Sequence, residues 1–305
     1  MHHLSTGNSK PSEANAGLAY SLLAYFWWGF AALFWKQLTG VAPLEILAHR
    51  ILWSFIFLIP LFSKRRVREQ CASVFKRGSN DWIFILVGTL LIGVNWGAFI
   101  LAMVTERILE ASLGYFIAPL TFVGLGVWFL HERLNRNQRV AVLLAAAAIS
   151  LLWFRLGTLP WIALCLAFTF TLYGLCKRKI SIDASLTVAF ETGLLCLPAL
   201  AYLYLYGTRH DLVTWALLIS SGPVTLLPQV WFTLGARRVP FSVMGFLQYI
   251  APMMNFLIAL FVYHEPFDEV RMLTFGLIWV GLLIYTADIV TRRRTALRAA
   301  KLRSA

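Results

Sequence analysis

The sequence predicts an all-α membrane protein, with ten transmembrane helices arranged as two inverted five-helix repeats around a central cavity. Three observations carry this prediction. First, 59% of the 305 residues are hydrophobic and only 13% are charged, against about 25% charged and 45–50% apolar for a soluble domain. Second, the chain divides into ten apolar runs of bilayer-crossing length. Third, the pattern Ile-Ala-Pro, eleven residues, His-Glu occurs twice, at Ile117–Glu132 and at Ile250–Glu265.

An α-helix crosses the hydrocarbon core in about 20 residues, with a range of about 17–25. The ten runs are 17–38, 43–62, 82–104, 109–130, 138–154, 160–176, 186–206, 212–234, 242–263 and 270–290. They are continuous rather than alternating, which excludes barrel strands. Helices satisfy every backbone group internally, as lipid requires.

Lys and Arg set the direction. With the N-terminus in the cytoplasm, the inner segments hold 21 Lys and Arg residues and the outer loops hold four, Arg107, Arg155, Arg209 and Arg271. The remaining two, Lys36 and Arg50, fall inside apolar runs. This asymmetry is the positive-inside pattern. It also separates the net charge of +13 from nucleic-acid binding, because the cations occupy short loops rather than one recognition face. Both termini are expected in the cytoplasm.

The two copies of the Pro…His-Glu pattern lie in spans four and nine, 133 residues apart. Spans one and six also match: "LAYFWWGFAALFWK" from Leu23 faces "LAFTFTLYGLCKRK" from Leu166, 143 residues on. Each half therefore carries five spans. An odd number of crossings makes the second copy enter from the opposite side, as in transporters built from inverted repeats. The organisation expected is a cytoplasmic tail at 1–16, a first repeat at 17–154, a second at 160–290 and a basic cytoplasmic tail at 291–305.

Several chemistries are disfavoured. Cys71, Cys165, Cys176 and Cys196 lack metal or redox spacing. The sequence has no Gly-rich phosphate loop, no H-E-x-x-H and no Ser/His/Asp arrangement. "HERLN" and "HEPFD" have no second His four residues on, so neither reads as a zinc site. No catalytic residue, metal or cofactor is expected.

Polar groups inside a membrane are costly and mark candidate sites. Arg50 lies about 10 Å into span two, and the preceding His49 is spaced to pair with Glu45. Either could hold an anionic group such as a carboxylate; the structural alternative is a buried pair. Lys36, near the outer end of span one, could snorkel to the interface or join Arg50 in a basic pocket. Glu191 is the one carboxylate well inside a run and reads as a gate or coupling residue. Asn95 and Trp96 in span three, Tyr115 in span four, Tyr173 in span six, Gln229 and Trp231 in span eight, and Gln248 and Tyr249 in span nine form a polar-aromatic set suited to an amphiphilic solute. For each ring, packing is the competing explanation. Pro119, Pro252, Pro223 and Pro228 are candidate hinges, because a helix proline removes a backbone bond.

The stretches "AYFWWGFAALFWK", "EILAHRILWSF", "LIGVNWGAFILAM", "LEASLGYFIAPL", "FLHERLNRNQ" and "GFLQYIAPMMNFLIALFVYHEP" resemble the EamA-type ten-helix transporters of the drug/metabolite transporter superfamily. They are most similar to the bacterial RarD group of chloramphenicol-sensitive proteins. The resemblance spans roughly residues 17–290. It implies a bacterial inner-membrane carrier with two five-helix repeats and a central cavity, and cousins in the superfamily export amino acids. The function expected is secondary transport, exporting small amphiphilic metabolites by alternating access. The alternative is a membrane-embedded lipid-handling protein or enzyme. The partners expected are a small-molecule substrate and the bilayer, with no nucleic acid, and the chain is read as a monomer.

Overall fold

The computed structural model describes residues 11–76, 80–105, 107–156, 160–262, 273, 276–281, 283–288 and 291. Among them are eleven α-helices, two short 3-10 turns and no strand. Helices α1 (Pro11–Trp35), α2 (Pro43–Leu58), α3 (Arg65–Val74), α4 (Asp81–Val104), α5 (Ile108–Trp128) and α6 (Arg136–Leu156) make up the first half. Helices α7 (Trp161–Lys179), α8 (Ala184–Tyr206), α9 (Leu212–Ala236), α10 (Phe241–Gln248) and α11 (Ile250–Phe261) belong to the second. Residues 276–281 and 283–288 are also helical. Seven helical segments among the described residues are long and apolar enough to cross a membrane, and α6 and α7 are helices of 21 and 19 residues. His264-Glu265, the second copy of the paired motif, lies outside the described residues.

The structure revises three boundaries. Helix α1 begins at Pro11, six residues before the expected start of span one at residue 17. Proline suits the first helical turn, where its missing N–H bonds nothing. The basic loop after span two contains α3, whose Val67 and Val74 pack inward while Arg65 and Arg66 face solvent. The span expected at 242–263 is interrupted at Tyr249. Pro252 explains this, since it has no N–H for the carbonyl of Gln248 and its ring crowds that turn. Tyr249 keeps helical dihedrals, so α10 and α11 meet at a joint rather than a loop. Pro119, by contrast, sits within an unbroken α5.

Packing between the halves is reciprocal. Helix α1 lies against α9 and α11, α7 lies against α4 and α5, and α2 lies against α8 and α9. Close approach needs small residues. A Cβ on Gly222 of α9 would fall 2.7 Å from Trp53 of α2, and Ser54 of α2 donates to the Gly222 carbonyl at 3.1 Å. One aromatic core joins five helices: Tyr25 and Trp28 of α1, Phe122 of α5, Phe170 and Tyr173 of α7, Phe232 of α9 and Phe241 of α10. Its ring pairs lie 5.1–6.4 Å apart, in tilted, edge-on and stacked arrangements.

The first His-Glu pair has a structural duty. His131 adopts φ 54°, which turns the chain after α5. Glu132 then accepts from the Phe241 and Ser242 backbone N–H groups at 2.7 and 2.9 Å, and from the Ser242 hydroxyl at 2.7 Å. It caps α10, where unpaired N–H groups and the helix dipole favour a carboxylate. At the other side of the bundle, Asp211 caps α9 by accepting from Thr214 N. The Thr214 hydroxyl, and then this backbone bond, hold its carboxyl below the ordinary aspartate range.

Candidate functional site

Helix α2 starts at Pro43 and carries Arg50 two turns in, about 10 Å from its first residue. The Arg50 guanidinium lies 5.1 Å from the centre of the Trp35 ring and 4.7 Å from that of Trp96. Trp35 ends α1, and Trp96 lies in the middle of α4. Tyr115 of α5, half-exposed, stands edge-on to Phe99 at 6.2 Å and is close enough to Arg50 to feel its charge. Four elements thus converge on one cation.

The indoles stabilise the charge through their ring faces without using a single N–H. No described carboxylate pairs with Arg50, and its Nε is buried without an acceptor. A guanidinium offers five donors in a planar fork suited to a carboxylate. Here the Nε donor is unused by the described residues.

Two carboxylates within the spans, Glu191 and Glu45, are closed by protein partners. Glu191 of α8 accepts from Lys177 Nζ at 2.6 Å and from Tyr173 Oη at 3.0 Å. The Lys177 and Glu191 side chains are 0% and 2% exposed. Arg237, after α9, donates to the carbonyls of Lys177 and Ile182 and to Thr187, so it binds the ends of α7 and α8 around this pair. Toward the opposite end of the bundle, Glu45 accepts from Thr208 N at 2.8 Å and lies 3.0 Å from His210 Nε2.

The expected Glu45–His49 pair is therefore replaced. The loop before α9 brings Thr208 and His210 onto the Glu45 carboxylate. His49 instead sets its ring edge-on to Trp215 at 5.2 Å, with Nδ1 buried and unpartnered.

The remaining sequence-derived residues fall into two groups. Arg50, Trp96 and Tyr115 come together, with Asn95 one position from Trp96; Asn95 itself donates to the Leu166 carbonyl and Thr169 at 2.9 Å. Lys36 opens the 3-10 turn beside Trp35 and is exposed. The others lie away from Arg50. Tyr173 is held in the Glu191 network. Tyr249 is buried and donates to the Phe116 carbonyl at 3.2 Å. Both follow from the need of a buried hydroxyl for an acceptor. Gln229 is buried in α9, and Gln248 at the α10–α11 joint has a buried Oε1 without a partner. Trp231 packs edge-on to Trp27 at 5.6 Å. Trp27 donates at 3.0 Å to the Val224 carbonyl, the group that Pro228 leaves without its helical partner.

Sequence reasoning misses Trp35 and Lys177 as site residues. Trp35, near a span end, reads as an interfacial belt or packing residue, whereas it stacks on Arg50. Lys177 counted among loop cations, although its spacing from Tyr173 puts both on one face of α7.

Known proteins fit this architecture. Residues 15–154 match the EamA-like transporter family. The uncharacterized transporter YojE of Bacillus subtilis is 41% identical over 93% of this chain and 98% of its own length. Protein RarD of Escherichia coli is 40% identical over 93% of this chain and 98% of its own, and Protein RarD of Streptomyces exfoliatus is 39% identical over 94% and 93%. A crystal structure of a protein 20% identical in sequence superposes with a TM-score of 0.65, covering 93% of this chain and 99% of that one, and so shares its fold. With its multi-pass helical bundle and these relatives over nearly its whole length, the chain belongs to the EamA-like transporter family, among its RarD members.

Proposed function

We propose that the protein is a secondary transporter that exports small amphiphilic metabolites across the bacterial inner membrane by alternating access. Amino acids, aromatic ones among them, and drug-like compounds are the solutes first considered. One observation carries the reading: a guanidinium two turns into a membrane helix, flanked by two indoles and by Tyr115, with its Nε unpartnered among the described residues. A buried ionisable group costs at least about 2.5 kcal/mol on insertion scales, and solute binding is what would offset that cost.

Reciprocal packing of the two halves supports inverted repeats, and the joint at Tyr249 supplies a place to bend. The Lys177–Glu191 pair and the aromatic core close the side where the basic loops lie, so they serve as the inner gate. The Lys and Arg distribution supports cytoplasmic termini. Purified protein in liposomes should move such solutes without ATP, and Arg50→Ala should slow that flux while membrane levels hold. Inertness to a broad solute panel sinks the exporter reading; unchanged flux in Arg50→Ala removes Arg50 from the site.

A further inference from the structure

We propose that the Arg50 site selects organic monoanions, a carboxylate on an aromatic or apolar body without an ammonium group, over zwitterionic amino acids. This rests on the carrier reading above and narrows its substrate class.

Charge balance within the spans sets the preference. Of the described carboxylates within the spans, Glu191 is closed by Lys177 and Tyr173, and Glu45 by Thr208 and His210. Neither is left for a ligand ammonium. Arg50 is the reverse case. It has indole faces at 5.1 and 4.7 Å, no described carboxylate partner and an unpartnered Nε. A ligand carboxylate supplies both the missing charge and the in-plane acceptors that a guanidinium fork fits. An α-ammonium brings a second cation beside Arg50, where like charges repel, and the two nearest indoles already face the guanidinium. The ligand's apolar body meets Phe99, Tyr115 and the Trp rings, which offer area and edges for stacking.

The preference has a scale. Placing an unpaired charge within a membrane protein costs enough, on insertion scales, to weaken binding roughly 60-fold. Water reaching the site reduces that figure, so a discrimination of at least about tenfold is expected. A neutral amide loses the charge-assisted bonds and should bind at least about tenfold more weakly than its acid.

The test is equilibrium binding to purified full-length protein in detergent at neutral pH. The probes are 3-phenylpropanoate, L-phenylalanine and 3-phenylpropanamide, which differ in charge on one skeleton. The acid should bind tightest on wild-type protein, a comparison that needs no variant. Arg50→Gln should weaken the acid at least about tenfold and leave the amide unchanged, while Arg50→Lys retains part of the acid's affinity. Matching melting temperatures establish that the variants are folded. Phenylalanine or the amide binding as tightly as the acid overturns the proposal, and so does the absence of binding by all three. If the acid binds through Arg50 yet shows no counterflow in proteoliposomes, the carrier reading falls and the anion assignment stands.

Discussion

Lys177→Met isolates the inner ion pair. The substitution keeps the length of the side chain and removes its charge. Lys177 Nζ sits 2.6 Å from Glu191 Oε2, and both side chains are withdrawn from solvent. After the change, Glu191 keeps only the Tyr173 hydroxyl at 3.0 Å, because its Oε1 already has no partner. Removing one member of a buried pair costs about 3–5 kcal/mol, since the other charge is left without compensation. At roughly 2–4 °C per kcal/mol for a chain of this size, melting should fall by on the order of 10 °C. Adding Glu191→Gln removes the stranded charge and should recover most of the loss. Thermal unfolding in detergent, followed by tryptophan fluorescence, measures all four members of the cycle. A shift under about 2 °C in Lys177→Met, or no recovery in the double variant, refutes the claim that this pair is a tight and mutually dependent latch.

Three further outcomes are expected. Trp27→Phe strands the Val224 carbonyl inside the bundle and should cost about 1–3 kcal/mol, read as a lower melting temperature with packing area nearly kept. Glu132→Ala removes three hydrogen bonds from the start of α10 and should cost about 1–2 kcal/mol; hydrogen exchange should quicken at Phe241 and Ser242 and remain unchanged at Thr214, which Asp211 caps independently. A reporter fused to the C-terminus should give a cytoplasmic signal, and a periplasmic signal overturns the orientation read from the Lys and Arg distribution.

The all-helical, membrane-spanning character was readable because lipid leaves few options. Helix length, the Lys and Arg asymmetry and the paired proline motif each follow from one-dimensional rules. The site was only partly readable, for a physical reason. Arg50 stands out in any apolar run, but whether it is paired depends on helices far away in the chain. Glu191 shows the difficulty from the other side. Its partner Lys177 belongs to a Lys-Arg-Lys end that looks like an interfacial loop, and only the packing of α7 on α4 and α9, with Glu191 of α8 in reach, brings the charge inward. Aromatic residues misled in the same way. Tyr115 and Tyr173 both sit in apolar spans, yet one is half-exposed beside Arg50 and the other is committed to Glu191. The His-Glu pair is legible in the sequence only as a mark of the repeat, whereas Glu132 caps a helix 109 residues later in the chain.

The four prolines differ in the same respect, and this decides where the bundle should bend. Pro228 deprives the Val224 carbonyl of its helical donor, but Trp27 of α1 replaces it. Two residues before Val224, Ser54 of α2 holds the Gly222 carbonyl while the missing Cβ lets the two backbones touch. Helices α1 and α2 are therefore pinned to α9 in its proline-containing stretch. Pro252 has a different setting. The Gln248 carbonyl loses its donor, the Gln248 Oε1 has no partner, and the helix is already interrupted at Tyr249. The expected joint is Tyr249, with Pro223 and Pro228 as fixed kinks. Spin labels test this directly. A Phe30–Val213 pair, on exposed positions of α1 and α9, should give a narrow distance distribution. A Trp128–Phe261 pair, on exposed positions of α5 and α11, should give a broad one. Trp27→Phe should broaden the first pair and leave the second unchanged. A broad Phe30–Val213 distribution in the unaltered bundle places the hinge in α9 and removes the joint at Tyr249 from the mechanism.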